Sequence, residues 1–84
     1  MPTISRFYGI VIRMYYLSAE HNPPHIHVIY GEDVAAVEIK TGQILDGDLP
    51  NKAMALVLEW IELHRDELMA MWETQEFHKI SPLV

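Results

Sequence analysis

The sequence predicts an α+β fold, an antiparallel meander of three to four strands with one long helix packed on one face. Three observations predict it. β-Branched and aromatic residues recur with a period of two up to about residue 46, glycine-centred turns interrupt them, and helical periodicity takes over after Pro50. The chain, residues 1–84, reads as one small domain, because 84 residues suffice for a single core and not for two.

Residues 4–17, ISRFYGIVIRMYYL, read as one long strand bulged at Gly9, the one strong breaker in the stretch. SAEHNPP follows as a loop, in which Pro23 and Pro24 fix φ and hold Asn22 and Pro23 extended, so the chain enters the next strand with little freedom. HIHVIY (25–30) and VAAVEI (34–39) both alternate, and the turn over Gly31 to Asp33 joins them as a hairpin. Thr41 and Gly42 make the next turn, QIL gives a short fourth strand, and DGD closes it before Pro50, a residue suited to the first turn of a helix.

The helix should run to about Glu73. Ala53, Val57, Trp60, Ile61, His64, Leu68, Met71 and Trp72 fall on one face, while Glu59, Glu62, Asp66 and Glu73 fall on the other. Leu56 and Leu63 on one flank and Met54 on the other widen the apolar arc to about half the circumference, beyond the ~100° stripe of a one-sided helix. These three residues are therefore the candidate interface, for a small partner protein or for self-association. The tail, FHKISPLV, should lie extended against the body.

Composition narrows the function. Without cysteine there is no disulfide framework and no thiolate site, so any metal would be held by His, Asp or Glu, and a reducing cytoplasm is the expected setting. Twelve acidic residues against six basic ones give a formal net charge of −6, which argues against nucleic acid as partner and fits a basic or neutral one. No stretch approaches the ~20 apolar residues of a membrane span.

The chemistry centres on HNPPHIHVIYG, residues 21–31. His25 and His27 are two apart on a strand and share a face, opposite Ile26, Val28 and Tyr30. Equivalent splits on the flanking strands assemble Arg13, Tyr15, His25, His27 and Glu38 on the outer side of the sheet if the more apolar sets meet the helix. A His-x-His pair can converge on one divalent metal such as zinc, with His21 or Glu38 as the third ligand. The same pair can act as general acid and base, with Arg13 holding an anion. The plainer alternative is a set of solvent-facing strand histidines behind a stiff turn. His64 is expected in the core, and it would meet His25 and His27 only if a one-residue slip turned their face to the helix.

MPTISRFYGIVIRMYY, HNPPHIHVIYG, LEWIELHRDELMAMW and KISPL together resemble, over essentially the whole chain, the small bacterial proteins grouped as domain of unknown function 4160. HNPPHIHV is the most specific element, and His21, His25 and His27 match it. The stretch Leu17 to Glu20 departs from the shorter, more polar lead expected there. The resemblance implies a small cytoplasmic protein encoded beside another short protein, in a toxin–antitoxin-like pair, and it assigns no catalytic role. Two functions follow as expectations: a protein-interaction component of such a pair, or a small histidine-based or metal-dependent hydrolase, such as a ribonuclease.

Overall fold

A computed structural model describes residues 3–15 and 23–83. Five strands, β1 (Thr3–Phe7), β2 (Ile10–Arg13), β3 (His25–Tyr30), β4 (Asp33–Glu38) and β5 (Ile44–Gly47), precede one helix, α1 (Asn51–Thr74). Every strand pairs antiparallel with its sequence neighbours, giving the order β1-β2-β3-β4-β5. The fold class is the expected α+β, with five strands where three to four were expected.

The extra strand comes from the N-terminal stretch. Residues 4–17 do not form one bulged strand: the chain reverses at Tyr8 and Gly9, with φ of 50° and 79°, between the paired residues Phe7 and Ile10. Two successive positive φ values are the signature of a type I′ hairpin, whose twist matches that of the strands. Gly9 therefore makes a turn, and the register shift lies instead between Thr3 and Ser5. The β3–β4 hairpin turns where expected, with Gly31 at φ 60° between the paired Tyr30 and Asp33.

Alternation sorts most of the side chains, Ala36 being a residue of the other face that is buried as well. Ile10, Ile12, Met14, Ile26, Val28, Ala35 and Val37 are buried on the helix side. They meet Ala53, Val57, Trp60, Ile61, Leu68, Met71 and Trp72 from α1 in one core, which also takes Leu49 and Ile80. Burying this much apolar surface supplies most of the driving force for folding. Pro50 occupies the N-cap position without a side-chain cap, its carbonyl accepting from the Met54 amide, and Gln75 ends the helix in the left-handed conformation, its amide donating to the Met71 carbonyl.

The helix departs from ideal geometry at His64, where φ is −124° and ψ 17°. His64 is accordingly half-buried rather than in the core, its ring tilted against that of Trp60 at 5.3 Å and its Nδ1 3.7 Å from the Glu67 carboxylate. Arg65, the next residue, donates from Nε to the Ile39 carbonyl and ties the bend to the end of β4. The tail lies extended against the body, as expected: the Ile80 amide donates to the Ile4 carbonyl on the outer edge of β1, and Trp60 Nε1 donates to the Ser81 carbonyl. The tail thus covers part of one sheet edge, which limits strand addition there. No helix among the described residues is long and apolar enough to cross a membrane.

Candidate functional site

The face of the sheet opposite α1 carries the residues singled out by the sequence. Cross-strand pairing aligns them in rows. Thr3, Arg13, His27, Ala36 and Asp46 are successive partners across all five strands, and His25 pairs with Glu38 one row away. A third row, Arg6, Val11, Ile29 and Val34, is mostly apolar. The outer grouping of Arg13, Tyr15, His25, His27 and Glu38 is therefore the one the alternation predicts, and the slipped register that would bring His25 and His27 against His64 is not adopted.

The stiff double proline has a direct structural use. Pro23 presents its carbonyl to His25, whose Nδ1 lies 2.8 Å away. An imidazole donating Nδ1–H to a carbonyl keeps its lone pair on Nε2, the arrangement that orients a metal-ligating or proton-accepting histidine. The His25 ring lies 5.0 Å from that of His27 at 66°, and Tyr15 stands edge-on to His27 at 4.3 Å. The pKa of His27 is lowered from its ordinary value, first by burial and then by the charge of His25 beside it. The shift favours the neutral imidazole, the form that accepts a proton or ligates a metal.

Arg13 sits beside His27 with its Nε buried and without a hydrogen-bond partner among the described residues. A buried guanidinium nitrogen left unpaired carries a desolvation cost, so this donor suits an acceptor brought by a ligand or partner. Glu38 is engaged elsewhere, accepting from the Thr41 hydroxyl at 2.9 Å. Among the described residues no three His, Asp or Glu side chains come together to hold a metal. His21, the other candidate third ligand, lies outside the described residues, so the described donor set is the His25 and His27 pair.

The three helix-flank residues separate. Met54 and Leu56 are half-buried against the core, whereas Leu63 is 66% exposed. Leu58, which the periodicity did not single out, is exposed as well. One contact escaped sequence reasoning altogether: the Trp72 ring, from the last turns of α1, lies 5.0 Å from that of His25. The helix end and the histidine row are thereby coupled.

The comparisons agree with the motif. The family described as Domain of unknown function (DUF4160) matches residues 9–73, from the β1–β2 turn to the last turn of α1. No curated protein and no solved structure matches the chain. With well over half its length matched, including both histidines of the open face and the helix behind them, the chain belongs to the family described as Domain of unknown function (DUF4160).

Proposed function

We propose that the chain is the protein-interaction component of a two-protein, toxin–antitoxin-like system, and that its partner is a small protein received on the open face of the sheet. One observation carries the reading: α1 packs on one face, reaching the other only where the Trp72 ring meets His25, and that other face spans five strands with an apolar row (Val11, Ile29, Val34) beside a polar one (Arg13, His27). Val34 is 52% exposed and continues the row of Val11 and Ile29, so the apolar surface is contiguous across three strands, as in an interface. The net charge of −6 favours a basic or neutral partner. The setting implied by this reading is the cytoplasm.

Co-expression with the product of a neighbouring short open reading frame tests it. Ile29→Asp should abolish co-purification, because it leaves a charge without a partner in an apolar contact, while Leu63→Asp on the helix flank should leave it intact. The reverse result would move the interface to the flank defined by Met54, Leu56 and Leu63.

A second reading has its own support. The fixed Nδ1 of His25, the depressed pKa of His27 and the Nε of Arg13, unpaired among the described residues, form a proton-transfer pair beside an anion holder, suited to phosphodiester hydrolysis, with or without a divalent metal such as zinc. RNA cleavage that survives replacement of both histidines by alanine would remove it.

A further inference from the structure

A cavity of about 680 Å³ opens at the other end of β3 from His25, beneath the β1–β2 turn. Its size is within the range of small-molecule sites. One wall is helical, formed by Lys52, Leu56 and Glu59, which four- and seven-residue spacing places on one stripe of α1. Tyr8 and Tyr30 provide aromatic surface opposite, and Leu83 of the tail closes a side.

Tyr8 is the informative residue. It holds the first position of the type I′ turn at φ 50°, where Asn, Asp or Gly is favoured and a bulky side chain is strained. No compensating burial exists, since Tyr8 is 62% exposed. A strained and exposed ring at the mouth of a cavity points to a role in binding rather than in the fold. Lys52 and Glu59 make no ion pair among the described residues, so both charges remain free to meet a ligand. Seven residues of helix set them about 10 Å apart along the axis.

We propose that this cavity binds a nucleoside monophosphate. The base lies against the tyrosine rings, which take any base through its π-face. The phosphate meets the Lys52 ammonium, and Glu59 accepts from the hydroxyl or amino donors at the far end of the ligand. A cation and a carboxylate separated by about 10 Å along an apolar floor suit a ligand of that length, one end anionic and the other rich in donors. This site is independent of the open sheet face, and the partner proposed for that face plays no part in it.

The test is titration of the full chain with adenosine 5′-monophosphate, followed by amide chemical shifts. Signals of Tyr8, Gly9, Lys52 and Glu59 should move, and adenosine or inorganic phosphate alone should bind at least about tenfold more weakly. Tyr8→Asn, which suits the turn, should raise the thermal midpoint while lowering the affinity by about tenfold or more. Lys52→Gln should erase the preference for the monophosphate over adenosine. Absence of shifts at millimolar nucleotide would overturn the proposal. So would unaltered binding by Tyr8→Asn, a lowered midpoint in that variant, or wild-type protein that binds adenosine as tightly as the monophosphate.

Discussion

The two faces of the sheet come from the same strands, with the same alternation, and end in different physical states. On the helix side Ile10, Ile12, Ile26 and Val28 are fully buried around Trp60. One residue along in each case, Val11, Arg13, His27 and Ile29 are only half-buried. Residues on the covered face are thus fixed by mutual packing, and those on the open face are free to be selected for what they contact outside the monomer. Stability should concentrate on the first face and chemistry on the second.

The largest expected effect belongs to the covered face. Trp60 is fully buried, stacks on Phe7 at 5.7 Å and donates to the tail at Ser81. Trp60→Ala should cost about 3–5 kcal/mol in chemical denaturation, through the cavity it leaves and the bond to the tail it removes. A loss under about 1 kcal/mol would mean that the core does not organise around this ring.

A smaller, paired comparison isolates the faces from everything else. Ile26 and Ile29 lie on the same strand and face opposite sides. Ile26→Val deletes a methylene from a filled core and should cost about 0.5–1.5 kcal/mol. Ile29→Val makes the same change on the open face and should stay within about 0.5 kcal/mol in the free chain. Equal losses at both positions would show that the outer face is as tightly covered as the inner one, which would remove the space for a partner.

This division was legible in the sequence because a period of two is a local property. His25, His27 and Arg13 could be assigned to one face, and Ile26 and Val28 to the other, without knowing which strands pair. The helix was legible for the same reason: of the eight positions assigned to its inner face, His64 alone is not buried, at the point where the backbone leaves helical geometry. Reversal at Tyr8 and Gly9 was not legible, since a tyrosine is an unfavourable first residue for a type I′ turn and the surrounding residues continue the strand pattern. Contacts set by three-dimensional closure were also hidden. Neither the approach of Trp72 to His25 nor the meeting of Tyr8 and Tyr30 with Lys52 and Glu59 leaves a mark in local spacing.

The smallest effect sharpens the comparison from the open face. The folded chain resists protonating His27, because burial removes water from the imidazolium and His25 repels it. In the unfolded chain the same imidazole takes up its proton near the ordinary value of 6.5. Above that pH both states are neutral at this position, and the contribution of His27 to stability is fully present. As pH falls from 6.5 toward the depressed folded value, the unfolded state binds more protons and stability is lost. His27→Gln should therefore reduce the fall in stability over that window and leave its slope unchanged above pH 7. His25→Gln should do less, since it removes the lesser of the two causes and leaves the burial in place. Imidazole titration by NMR checks the order directly: a His27 pKa that returns fully to 6.5 in His25→Gln would mean that repulsion, and not burial, dominates, and that the open face is wetter than its geometry implies.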